Sequence, residues 1–153
     1  MRSLFLFFIL VSFSFYAVGC SEDRRETDTA DTETAEREIT EIIEGGWAAL
    51  GEQDLEHFNQ YSLPNWLLYT AIGNKMDAET LFSNHRQNMT EFNIDYSNLD
   101  INIHNSVAWA TYDANMTGLW DGEEWGGDFI FTTVFVREDG EWKISHMHES
   151  RVQ

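Results

Sequence analysis

From Phe92 to the C-terminus the apolar residues alternate with polar ones, through "FNIDYSNLDINIH", "SVAWATYDANMTGLW", "GDFIFTTVFVRE" and "EWKISHMHES". A period of two sends successive side chains to opposite faces, so these four segments are strands of a sheet with one buried face. Two of the separators, "WDGEEWGG" and "REDGEW", contain Asp-Gly, the dipeptide that accepts the positive φ angles of a tight hairpin. An antiparallel meander is the consequence.

Upstream the period is that of a helix. Ile39, Ile42, Ile43, Trp47 and Leu50 recur at three and four between Ala35 and Gly51, which predicts a first helix with one apolar face. Gly45 and Gly46 weaken it and point to a bend or a close backbone contact. Asp54 can cap a second helix through "LEHFNQY", ended by Pro64, and "NWLLYTAIG" has the content of a short strand. Asp77 can cap a third helix, "AETLFSNHRQNM", whose Leu81, Phe82, His85 and Met89 share a face. Helices first and strands afterwards make an α+β domain, about three helices packed on one face of a curved, mainly antiparallel sheet.

The N-terminus follows a different logic. "MRSLFLFFILVSFSFYAVGC" carries one Arg and then an apolar run from Leu4 to Val18, too short for the roughly 20 residues of a membrane-spanning helix. Residues 1–19 read as a secretion signal peptide. The run ends in "AVGC", which resembles the lipobox of bacterial lipoproteins. That likeness implies cleavage before Cys20 and lipid attachment to its thiol, which also accounts for a lone cysteine in an exported chain. The expected address is a bacterial cell envelope with a membrane lipid anchor. Ser21, which is not Asp, implies the outer membrane facing the periplasm if the host is Gram-negative. The acidic, Thr-rich text from Cys20 to Ala35 has nothing large to bury and reads as a solvated tether, leaving 36–153 as the folded domain.

Lys plus Arg number 9 against 27 Asp plus Glu, a net charge of −18, which repels nucleic acid and anionic lipid surfaces and favours a neutral or cationic small-molecule ligand. There is no nucleophile elbow, phosphate-binding loop or dinucleotide fingerprint, and no cofactor is expected.

The ending "REDGEWKISHMHES", with "VAWATYDANMTG" and "GWAALGEQDLEHF" before it, is similar to the SnoaL-like branch of the nuclear transport factor 2-like superfamily over about residues 36–152. Within that superfamily it resembles the association domain of calcium/calmodulin-dependent protein kinase II, whose last strand has the spacing of Trp142, His146, His148 and Ser150. The resemblance implies a cystatin-like cone with a pocket between helix and sheet, and homodimers built through sheet surfaces. It also implies pocket positions at Glu149, Thr133 and Thr111, where the association domain is basic and this chain is not. Trp109 and Asp113 share the strand parity of Thr111, and Met147 shares that of Glu149, so the expected pocket is aromatic and acidic. The superfamily includes isomerases, cyclases and dehydratases as well as binding and assembly modules. An alternative reading therefore makes Asp113 or Glu149 an acid–base catalyst, as in its ketosteroid isomerase members.

His146 and His148, two apart on a strand, share a face with Cα atoms about 6.6 Å apart. A metal would need further ligands, and no motif supplies them; the pair is a weak alternative as a metal site. Simple alternation gives Trp142 and Ile144 the face of the histidines and gives Met147 and Glu149 the other, unless a bulge reverses the parity.

Overall fold

A computed structural model describes residues 23–152 of the protein, with side chains from residue 31 onward. The signal peptide and lipid-bearing Cys20 expected from the sequence lie outside the described residues.

The first helix, α1 (Asp23–Gly51), buries the face read from the sequence: Ile39, Ile42, Ile43 and Leu50, with Ala35 and Ala49. It starts well before residue 35, so residues 23–35 are helical where the sequence reading had a tether. The acidic text has no core to build, but Glu, Arg and Ala extend an existing helix at one hydrogen bond per residue, and acids suit its N-terminal end. The helix runs through Gly45 and Gly46, and at Gly45 the missing side chain makes room for Tyr61: a Cβ there would meet the Tyr61 Cζ at 2.5 Å.

The second helix, α2 (Leu55–Phe58), is capped by Asp54, whose Oδ1 accepts from the His57 N–H at 2.9 Å. It stops earlier than "LEHFNQY" suggested, because Ser62 already begins the first strand, β1 (Ser62–Tyr69). Pro64 sits inside that strand, where the pairing with the last strand shifts register between Ser62 and Leu67. A residue without an N–H is tolerated at such a break. After the two-residue β2 (Lys75–Met76) comes α3 (Ala78–Asn88), capped by Asp77 through the Thr80 N–H at 2.8 Å.

Four long strands follow: β3 (Met89–His104), β4 (Val107–Trp120), β5 (Glu123–Glu138) and β6 (Glu141–Arg151). The sheet order is β2-β1-β6-β5-β4-β3, antiparallel throughout except for the β1–β6 pair. Both Asp-Gly turns have the expected geometry, with φ of 54° and 83° at Asp121 and Gly122 and of 51° and 90° at Asp139 and Gly140. The sheet curls through register shifts in β3–β4 and between Val134 and Phe135 on β5, and the helices pack on its inner face. From β4 that face receives Ala108, Ala110, Tyr112, Ala114 and Met116; from β5 it receives Phe129, Phe131, Thr133 and Phe135. The result is an α+β cone, three helices against the concave face of one curved sheet.

The shift on β5 decides the parity of β6. Phe135 pairs with Ile144 and Val134 with His146, so one step on β5 spans two on β6 and Ser145 is the extra residue of a bulge. Trp142 and Ile144 point inward, then Met147 and Glu149 do, and His146 and His148 point out. Trp142 and Ile144 therefore do not share the histidines' face, which corrects the simple alternation.

Candidate functional site

Between the helices and the inner sheet face lies a cavity of about 410 Å³. That is within the range of sites that enclose small molecules. Its walls are largely aromatic: Trp47 from α1, Phe58 from α2, Trp66 from β1, Tyr112 and Trp120 from β4, and Phe131 from β5. Sequence alternation places them there, because Trp66, Tyr112 and Phe131 each stand on the inward phase of their strand. Phe58 meets Trp66 edge to face at 5.0 Å, and Trp47 meets Phe131 likewise at 5.0 Å, so the lining is a set of interlocked rings.

Polar groups are sparse and each has a definite place. The Trp47 Nε1–H donates to the Tyr112 hydroxyl at 3.1 Å, and that hydroxyl shares a 3.3 Å hydrogen bond with Thr133 Oγ1. Burial pushes the Tyr112 phenol up to about 12, so it stays a neutral hydroxyl. His85 reaches the cavity from α3, its ring held edge-on by Phe92 at 5.2 Å and Trp120 at 6.4 Å. It is 6% exposed, its Nδ1 has no partner, and burial pulls it down to about 4, a neutral imidazole at pH 7.

The open side is framed by the turn between β1 and β2. Ile72 at its tip lines the cavity while 84% exposed. The Ala71 N–H donates to Glu149 Oε1 at 3.3 Å, tying the turn to β6. Burial raises the Glu149 carboxyl above the ordinary carboxylate value, offset in part by the Ala71 N–H and by His148 and Arg151 nearby. The Arg151 guanidinium donates to the Gly126 carbonyl at 2.7 Å and lies 5.5 Å over the Phe129 ring.

Of the residues expected in the pocket, Thr133, Met147 and Glu149 line this cavity. Trp109, Thr111 and Asp113 do not. They stand on the outward phase of β4, one step from the buried Ala110, Tyr112 and Ala114, so the expectation for this strand was off by one residue. Asp113 is exposed and accepts from Asn98 Nδ2 at 2.6 Å, far from a desolvated acid–base role inside the cone. His146 and His148 are exposed on the same outer face, and among the described residues no three His, Cys, Asp or Glu side chains gather as a metal site. Tyr112, Trp47, Trp66 and His85 were not picked out as site residues. His85 had a visible signal, a histidine on the apolar face of its helix, and Tyr112 needed only the correct phase. Arg151 adds a basic group to a pocket expected to be acidic.

No curated protein matches the sequence. Solved structures match throughout the domain at identities that speak for fold alone. A nuclear transport factor 2-like protein of unknown function in nutrient uptake from Rhodospirillum rubrum is 20% identical, with a TM-score of 0.68 over 75% of this chain and 98% of its own. A protein from Exiguobacterium sibiricum, provisionally described as a Ca/calmodulin-dependent kinase II association domain, is 13% identical, with a TM-score of 0.71 over 78% of this chain and 94% of its own. A provisional dehydratase of the nuclear transport factor 2-like family from Streptomyces avermitilis is 14% identical, with a TM-score of 0.68 over 80% of this chain and 99% of its own. Residues 39–153 match the model of the SnoaL-like domain, most of the chain, and the protein therefore belongs to the SnoaL-like family.

Proposed function

We propose that this protein is a small-molecule binding domain held at a bacterial cell envelope by lipid on Cys20, and that its ligand, neutral or cationic, is enclosed by the cone. The observation that carries the reading is the cavity of about 410 Å³, walled by rings and open beside Glu149. A carboxylate at the opening and a net charge of −18 discourage anions, and the one guanidinium lining the cavity is already engaged by Gly126 and Phe129. A neighbour described in terms of nutrient uptake suits an envelope-bound carrier of small molecules. In a Gram-negative host the lipid would hold the domain on the outer membrane, facing the periplasm.

Gly46 offers the test. It lines the cavity, and a Cβ there finds open contacts at 3.6 Å to Ile144 and 3.7 Å to Phe58, so a larger side chain grows into the space. Neutral N-phenyl-1-naphthylamine should fluoresce on adding the wild-type protein and remain dark with Gly46→Leu. Equal signals, or none from the wild type, would sink the reading. Globomycin treatment of producing cells, read as accumulation of the uncleaved precursor, tests the lipid on Cys20, with Cys20→Ser as the control.

A second reading is acid–base catalysis by Glu149, favoured by the raised proton affinity of its carboxyl. The provisional dehydratase among the neighbours is in keeping with it. The outer face of the sheet, with exposed Tyr69, Val107, Trp109 and Ile130, suits a homodimer.

A further inference from the structure

The polar chain of Trp47, Tyr112 and Thr133 is satisfied within itself, whereas His85 is not. Of its two ring nitrogens, only Nδ1 is both sealed from solvent and without a partner. A buried N–H left unpaired costs more than an unpaired lone pair, so the proton belongs on Nε2 and Nδ1 carries the lone pair. Nε2 is then the nitrogen left to meet whatever occupies the cavity. Its direction is fixed, because Phe92 and Trp120 hold the imidazole edge-on at interplanar angles of 74° and 84°.

Resting on the cavity as a small-molecule site, we propose that His85 Nε2–H is the hydrogen-bond donor that orients the ligand, and that the ligand is a neutral ring compound bearing a carbonyl or ether oxygen as acceptor. The rings of the wall supply stacking surface for a flat apolar body. An imidazole desolvated in this way stays uncharged and gives an anion nothing to pair with. A donor set among aromatic rings selects for the acceptor, since an occupant without one leaves the N–H unpaired while it fills the space around it.

Calorimetric titration with 2-acetonaphthone and with 2-isopropylnaphthalene, which has the same shape and no acceptor, tests the assignment. The wild type should bind the ketone about tenfold more tightly, as expected for one net hydrogen bond. His85→Phe should bring the two affinities together, with the hydrocarbon's no weaker than in the wild type. Nitrogen-15 correlation spectra of the histidine rings at pH 7 should put the proton of His85 on Nε2. If the hydrocarbon binds as well as the ketone, or the proton sits on Nδ1, the donor role is overturned and the cavity reading stands. If neither compound binds, or both bind Gly46→Leu as well as the wild type, both are overturned.

Discussion

The indole N–H of Trp47 on α1 donates to the hydroxyl of Tyr112 on β4 across 3.1 Å, the direct polar link between the long helix and the centre of the sheet. Tyr112 is 2% exposed and also shares a hydrogen bond with Thr133, which is 1% exposed. Replacing Tyr112 by Phe keeps the ring and its stacking on Phe131 but strands the half-buried Trp47 donor and the buried Thr133 hydroxyl. The expected cost is about 1–3 kcal/mol. Urea unfolding should show a lower midpoint with an unchanged slope. A midpoint equal to the wild type would mean that water already competes for these groups.

His85 makes stability depend on pH in a known direction. Its imidazole is pulled from 6.5 to about 4 in the folded state, so between those values the unfolded chain binds a proton that the native one refuses. The stability it contributes is full above pH 6.5 and is lost as pH falls through about 4, a change of roughly 3 kcal/mol at most. Glu149 acts oppositely. Its carboxyl is raised by burial, so its contribution is full below the ordinary carboxylate value and is lost as pH rises through the raised one. Urea midpoints measured from pH 7 down to pH 4 should fall for the wild type and fall much less for His85→Phe. Parallel curves for the two proteins would remove His85 as the cause.

Much of this was legible in the sequence, and the parts that were not share a cause. The helical face of α1, the caps at Asp54 and Asp77 and the two Asp-Gly hairpins are local features, set by spacing and side-chain chemistry. The phase of a strand relative to the core is not local. On β4, Trp109 and Tyr112 are both large aromatics, and tertiary packing decides that Tyr112 goes in and Trp109 stays 41% exposed. On β6 a single extra residue at Ser145 turns the phase over, and no residue type announces it. Pro64 misled for a related reason: a proline ends a helix in isolation, yet it also sits where β1 leaves β6.

Gly126 and Gly122 provide a controlled pair on backbone geometry. Both have positive φ, 147° and 83°, but a Cβ on Gly126 would stand 2.1 Å from the Met116 carbonyl oxygen, and a Cβ on Gly122 would meet nothing within 4 Å. Gly122→Ala should cost about 1 kcal/mol from conformation alone. Gly126→Ala adds a backbone clash and should cost on the order of 3 kcal/mol or more. It should also free Arg151, whose guanidinium rests on the Gly126 carbonyl, and so weaken binding of a probe in the cavity. Thermal midpoints of the two variants give the comparison; equal losses would show that β5 can move away from β4 at no cost.

The outer sheet face gives the last prediction. Across the strands, Trp109 neighbours Val134, which neighbours His146, and Thr111 neighbours Thr132, which neighbours His148, so one continuous surface runs over β4, β5 and β6. Trp109, Val107 and Ile130 are each more than 40% exposed on it, an arrangement a second copy of the chain would bury. A stable dimer needs roughly 1,200–2,000 Å² of buried surface with an aromatic anchor near its centre, and Trp109 is suited to that place. Trp109→Glu puts a charge there without touching the cavity, whose lining lies on the opposite face of β4. Sedimentation should show a dimer for the wild type and a monomer for Trp109→Glu, with both proteins still lighting up N-phenyl-1-naphthylamine. A wild-type monomer, or a variant that stays dimeric, would leave this face without a partner copy and the exposed tryptophan without an explanation.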